Sequence, residues 1–299
     1  MGSIREGLRA LARSADAQIL CEVEFEGVRE RSPHFVRASI RGAGLAGYRT
    51  RLPADAFKLM LPAAGSGSVT LPTRGADGLP SWPDGVEPPV ARAFTVREYD
   101  ADASRIVFDV AIHPNGLAMT WLRHAVPGDV VGLAGIRHDF AVGDVDHHLV
   151  IADASALPAA ATIIESFGKG TDATVFLQVE SEADRVDIPT QEGIQIEWVV
   201  SPPCRGDGTP LERAVRATPR PEGRIQAWIA AEAGVVRTLR SFVRDHWGVH
   251  RDDLHAVAYW KSGRTNTETD VDAARRYTQA MADGLDLSDP VVVQELEFA

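Results

Sequence analysis

The spacing of apolar residues changes near residues 141–147, and no single layer of secondary structure accommodates both patterns. Upstream of that point the chain reads as short strand-like runs, "AQILCEVEFEGV", "HFVRASIRG", "AFKLMLP", "RAFTVREYD", "SRIVFDVAIH" and "DVVGLAG", punctuated by Gly, Pro and Asp. So many short strands close together point to a barrel or a sandwich. One helix is expected near "NGLAMTWLRHAV", with Leu117, Trp121 and Leu122 on one face. Downstream, the buried-type strand "HHLVIAD" is followed by helical "ALPAAATIIESF". Then come strands "ATVFLQVE" and "IQIEWVV", helix "PLERAVRA", strand "RIQAWIAA", helix "GVVRTLRSFVRDHW" and strand "LHAVAYW". Strand–helix alternation implies a mostly parallel sheet flanked by helices. Segments 64–88 and 201–210 read as loops, and no internal repeat is visible.

Composition narrows the class. A chain of 299 residues suggests two domains at roughly 150 residues each. A net charge of −11 argues against a nucleic-acid binder and against adhesion to anionic lipid. No apolar run approaches the roughly 18 residues of a membrane span. The opening "MGSIREGLRALARSADA" has no signal-peptide core, and Glu6 stands where a myristoylation signal wants Ser or Thr. Cys21 and Cys204 make neither a disulfide framework nor a C-x-x-C pair. A cytoplasmic protein without membrane or nucleic-acid partners is the expectation.

Three stretches bear on chemistry. "GAGLAG" places Gly42, Gly44 and Gly47 at the G-x-G-x-x-G spacing of a dinucleotide turn. The helix that such a turn needs is missing, because "YRTRLPADAFKLMLP" follows with two prolines. The expectation is an ordinary turn at a strand end, its glycines taking positive φ. In "RAFTVR", Arg92, Thr95 and Arg97 lie close enough to hold a phosphate, and Phe94 can lie against a flat ring. The plainer reading is a surface strand with one buried Phe, and spacing alone favours it. "HPNGLAMTW" leads through Gly116 into a helix whose first amides suit an anion; judged alone a simple turn and cap is favoured, but together with "RAFTVR" two adjacent strands would end in one anion site. His147 and His148 face opposite sides of a strand and are not expected to share a metal, and no metal site is expected elsewhere.

Taken in order, these residues resemble the siderophore-interacting protein family of flavin-containing ferric-siderophore reductases, within the ferredoxin-reductase-like superfamily. "RAFTVR" resembles its R-x-Y-[ST]-x-R pattern and "HPNGLAMTW" its H-x-x-x-G-P-A-x-x-W. "SPHFVRASIRGAGL", "FKLMLP", "PGDVVGLAG", "DASALPAAATIIE", "WIAAEAGVVRTLRSFVR" and "YWKSGR" resemble further family segments in the same order, over about residues 16–265. The chain departs from the pattern at Phe94 (for Tyr), Leu117 (for Pro), Ala154 and Ser155 (for Glu-Thr) and Ala231 (for Gly).

The resemblance implies an antiparallel FAD-binding β-barrel over 16–143, an α/β nucleotide-binding-like domain with a mostly parallel sheet over 144–265, and an acidic tail with a short helix over 266–299. FAD is expected in the cleft between the domains. Arg92 would hold the pyrophosphate, Thr95 the flavin edge, and Phe94 would lean on the isoalloxazine. Gly116, Leu117, Ala118 and Thr120 would contact phosphate, with Ala93, His113, Trp121, Glu232, Tyr259 and Trp260 as further cofactor contacts. The redox step would belong to the flavin and not to a catalytic side chain. NAD(P)H is the expected electron donor, with reduced ferredoxin as the alternative. "ADASALPA" lacks a glycine-rich turn, so a nicotinamide site there would be loose or built otherwise, with Arg185 as the one cation near a 2′-phosphate. The expected substrate is a ferric siderophore, met by Lys58, Arg251, Lys261 and Arg264, with His250 as a further contributor. Lysine is scarce, at Lys58, Lys169 and Lys261 only. The alternatives are a flavin reductase for another acceptor and a flavin-free siderophore-binding module.

Overall fold

The computed structural model describes residues 2–12, 19–48, 51–62, 69–75, 80–113, 116–202, 208–264, 266–287, 289, 292, 293 and 296. It divides into two compact units, Ser14–Arg137 and a second formed by Met1–Arg13 with His138–Ala299. The chain begins with α1 (Ile4–Leu11), which the sequence reading passes over. Its signal is local: Ser3 and Glu6 form a capping box, each side chain bonding the other's backbone N–H.

The first unit contains β1 (Leu20–Ser32), β2 (Phe35–Arg41), β3 (Asp55–Leu61), the two-residue strands β4 (Thr73–Arg74) and β5 (Pro80–Ser81), β6 (Val90–Thr95), β7 (Glu98–Asp100), β8 (Arg105–Ala111), α2 (Leu117–Leu122) and β9 (Val130–His138). Seven of its strands form one antiparallel sheet in the order β6-β3-β9-β1-β2-β8-β7. The edges meet because β6 runs directly into β7, and Arg97 N–H reaches Val107 O at 2.9 Å. This is the barrel that the sequence reading expects. Its interior is aromatic. Phe94, Phe57 and Phe108 form a triangle with centroid separations of 5.0 to 6.2 Å, and Trp121 packs edge-on against Phe25 at 5.0 Å. Such pairs add to the burial of apolar area that drives barrel closure. Helix α2 is anchored by Ala118, Met119, Trp121 and Leu122, whereas Leu117 is 48% exposed and stands off the face assigned to it.

"GAGLAG" is a single turn of 3-10 helix over Ala43–Gly47. Its glycines are not there for positive φ, since Gly42 has φ 176° and none of the three falls in the left-handed region. They are there for space. A Cβ on Gly42 would meet Glu22 O at 2.9 Å, and one on Gly44 would meet the Cys21 side chain at 2.3 Å. The turn lies against β1, and only glycine allows that approach.

The second unit contains β10 (His147–Ala152), α3 (Leu157–Ser166), β11 (Ala173–Val179), β12 (Ile194–Val200), α4 (Pro210–Ala217), β13 (Ile225–Glu232), α5 (Ala233–Asp245), β14 (Leu254–Trp260) and α6 (Asn266–Ala282). Its sheet is wholly parallel, in the order β12-β11-β10-β13-β14. Every residue of β13 is buried, as expected for the centre of a sheet covered on both faces. Two of its polar side chains, Gln226 and Trp228, are satisfied by the segment that precedes β10. Gln226 bonds Gly143 N–H (2.6 Å) and Ala141 O (3.0 Å), and Trp228 Nε1–H donates to Asp139 O (3.0 Å). None of the described helices is long and apolar enough to cross a membrane.

Candidate functional site

In the barrel unit the candidate residues stand on β6 and on the turn after β8. Strand β8 runs antiparallel to β7 and also contacts β6, so its end returns toward the start of β6. The Arg92 side chain is buried, and its Nη1–H donates to Ala91 O at 2.7 Å. Thr95 is buried, Phe94 is half-buried against the aromatic core, and Ala93 is exposed beside its exposed cross-strand partner Lys58. The end of β6 is held by Asp55, which is fully buried. Its carbonyl accepts from Val96 N–H (2.7 Å), and its carboxylate accepts from Tyr48 Oη–H (2.7 Å) and Leu52 N–H (2.8 Å).

After β8, His113 is exposed, and Pro114 and Asn115 lie outside the described residues. Gly116 has φ 123°, and a Cβ there would meet His113 Cε1 at 2.8 Å, so this position demands glycine. It caps α2 with no side-chain hydrogen bond, so among the described residues no side chain caps the first amides of the helix. Thr120 is exposed and bonds Gly116 O at 3.1 Å. A buried arginine, a hydroxyl, helix-start amides and a half-buried aromatic face make a donor set that fits a flavin dinucleotide, which carries an anionic pyrophosphate between two flat ring systems.

The second unit has its own cluster at the carboxyl ends of the strands. The strand order reverses between β10 and β13, and open α/β sheets bind ligands outside the strand ends at such a point. Asp153, just beyond β10, is the hub. One carboxylate oxygen accepts from Ser155 N–H (2.9 Å) and Ser155 Oγ–H (2.5 Å). The other accepts from Glu232 N–H (2.9 Å) and Trp260 Nε1–H (2.8 Å). Burial pushes the Asp153 carboxyl above its ordinary range, against the pull of those bonds. Glu232, the last residue of β13, is the N-cap of α5. Its Oε2 accepts from Gly234 N–H (2.5 Å) and Val235 N–H (3.2 Å), and its Oε1 from Ser262 N–H (3.0 Å). Tyr259 is half-buried, edge-on to Trp228 at 6.5 Å. Sequence reasoning named Glu232 and Trp260 but not Asp153, the residue that joins them.

The candidate substrate residues Arg251, Lys261 and Arg264 are all exposed. Arg251 lies 3.7 Å from Asp252, and Arg264 is bonded to Asp272 on α6. His250 is engaged with Asp252, its Nδ1 accepting from the Asp252 amide. Arg185 pairs with Glu182 at 2.9 Å.

The antiparallel barrel followed by a parallel five-stranded sheet defines a ferredoxin-reductase-like fold. A ferredoxin reductase of a carbazole dioxygenase system shares that fold at a TM-score of 0.56 and 19% identity, over 81% of this chain and 69% of that one. Residues 24–139 match the family model of the siderophore-interacting FAD-binding domain, and residues 145–263 that of the siderophore-interacting protein. A ferric vibriobactin reductase of Vibrio cholerae is 31% identical over 246 residues, covering 81% of this chain and 89% of that protein. The crystal structure of a siderophore utilization protein from T. fusca superposes at a TM-score of 0.72 with 31% identity, over 83% of this chain and 94% of that one. The chain belongs to the siderophore-interacting protein family.

Proposed function

We propose that the protein is an FAD-dependent reductase of ferric siderophores that releases Fe(II) in the cytoplasm, with NAD(P)H or reduced ferredoxin as electron donor. The observation that carries this reading is the donor set of Arg92, Thr95 and the α2 start behind Gly116, inside the segment that matches the FAD-binding domain model. The Arg92 guanidinium offers a charge-assisted contact to pyrophosphate. The Thr95 hydroxyl orients the ring edge, and Phe94 backs the ring from the barrel core. The amides of Leu117 and Ala118 and the Thr120 hydroxyl take phosphate oxygens. Bound FAD supplies the step from a two-electron donor to one-electron delivery. Each Fe(III) gains one electron, and the resulting Fe(II) is held less firmly by the hard oxygen ligands of a siderophore. Lys58 on the barrel and Lys261 and Arg264 on the α/β unit attract an anionic iron complex against the net charge of −11.

The deciding experiment is an anaerobic titration of the purified protein. Visible flavin absorbance that is bleached by NADH, NADPH or reduced ferredoxin, and restored by a ferric siderophore as a chelator traps Fe(II), supports the proposal. A colourless protein that binds ferric siderophore would make it a binding module. Turnover with free flavin or quinone alone would make it a reductase for another acceptor.

A further inference from the structure

The amides that could hold a dinucleotide phosphate in the α/β unit are already engaged by the chain's own carboxylates. At the start of α5, a helix of 13 residues, Gly234 N–H and Val235 N–H both donate to Glu232 Oε2. Ser262 N–H holds the other oxygen, so the carboxylate is fixed from both sides and is not free to swing out. Asp153 takes the Ser155 amide in front of α3 together with the backbone N–H of Glu232. Two carboxylates, Glu232 buried and Asp153 half-buried, therefore sit at the strand ends on either side of the point where the strand order reverses. In open α/β sheets this is the place where a pyrophosphate takes the helix-terminal amides and the positive end of the helix dipole.

We infer that Glu232 is an internal anion that keeps the pyrophosphate of a dinucleotide out of this crevice, and so sets which electron donors the protein accepts. The inference rests on the reading of the protein as a reductase. It deepens that reading: a donor that brings no pyrophosphate to the α5 start, such as a reduced protein carrier, meets no obstacle there. NADH or NADPH would have to displace or approach a fixed negative charge. The departure at Ala231, where the family pattern has Gly, lies on the same strand end and leaves the Glu232 cap intact.

The test is equilibrium binding of ADP-ribose, NADH and NADPH to the FAD-loaded protein by calorimetry, on wild type and three variants. Glu232→Gln keeps an acceptor for the α5 amides and removes the charge. Glu232→Ser keeps a hydroxyl cap without charge. Glu232→Asp keeps the charge on a shorter stem. The expected result is ADP-ribose binding at least about tenfold tighter in the Gln and Ser variants than in wild type, with no gain in the Asp variant. If Glu232→Gln fails to fold, Glu232→Ser gives the answer. Wild type that already binds ADP-ribose at low micromolar concentration would overturn the inference, as would neutral variants that gain nothing or an Asp variant that gains as much as they do. ADP-ribose carries no electrons, so this outcome is separate from whether the protein reduces a ferric siderophore.

Discussion

In the barrel unit the first turn of α2 begins behind Gly116 with no side-chain cap among the described residues, whereas in the α/β unit the first turn of α5 is closed by Glu232. Both places are helix starts at the end of a strand or of the turn that follows one, where a phosphate is favoured. One is left for a ligand and the other is filled from within. The barrel side also brings a buried arginine and a hydroxyl, while the α/β side brings two carboxylates, one of which, Asp153, accepts from the Trp260 indole N–H and from the Glu232 backbone N–H. A helix start thus closes on its own carboxylate in one unit and, on the proposed reading, takes a phosphate in the other.

The contrast predicts that damage at the two sites reads out differently. Asp153→Ala should have the largest effect. It leaves the Trp260 indole, the Glu232 amide and the Ser155 amide without their acceptor, at a cost of at least about 3 kcal/mol. Thermal denaturation checks this, and a melting temperature within a degree of wild type would mean that the cluster does not hold the strand ends together.

A second stability effect belongs to the same unit. His148 is buried with its ring tilted against Phe167 at a centroid distance of 4.8 Å, and burial, with the nearby His147, lowers its pKa to about 4. The ordinary value is near 6.5, so between those two values the unfolded chain binds the proton and the folded one does not. Stability is therefore full above pH 6.5 and falls as pH drops toward 4, by roughly 3 kcal/mol at most. Denaturant titrations across that window should show the slope, and His148→Leu should flatten it.

On the barrel side the readout is cofactor. Arg92→Ala removes a charge-assisted contact of roughly 1.5–3 kcal/mol, so FAD affinity should fall about tenfold or more. Flavin content after dialysis measures it, and undiminished flavin would remove Arg92 from the site. The smallest effect is expected from Lys58→Ala with Lys261→Ala. The KM for an anionic ferric siderophore should rise a few-fold at low salt, and the difference should shrink as salt is added, because exposed charges act over about a Debye length. Unchanged kinetics at low salt would place the iron complex elsewhere.

Much of this was legible in order along the chain. The change from strand-only runs to strand–helix alternation locates both sheets, because period 2 and period 3.6 are written in neighbouring residues. The "RAFTVR" and "HPNGLAMTW" segments were recognisable because each lies within a few residues of chain. Local caps are legible for the same reason, even where the reading passed over one, as at Ser3 and Glu6 before α1.

Other features are set by residues far apart in sequence. Gly42 and Gly44 look like turn glycines until β1 is laid beside them. Asp153 in "ADASALPA" looks like a cap for Ser155, which it is. Yet its other oxygen meets an amide 79 residues away and an indole 107 residues away. No spacing rule reaches that far. The sequence by itself determined the two architectures and the short motifs from which the proposed donor set is read, since periodicity and short motifs are properties of neighbouring residues. Only the tertiary structure decided that three parallel strand ends share one aspartate, because that convergence exists only once the sheet brings β10, β13 and β14 side by side.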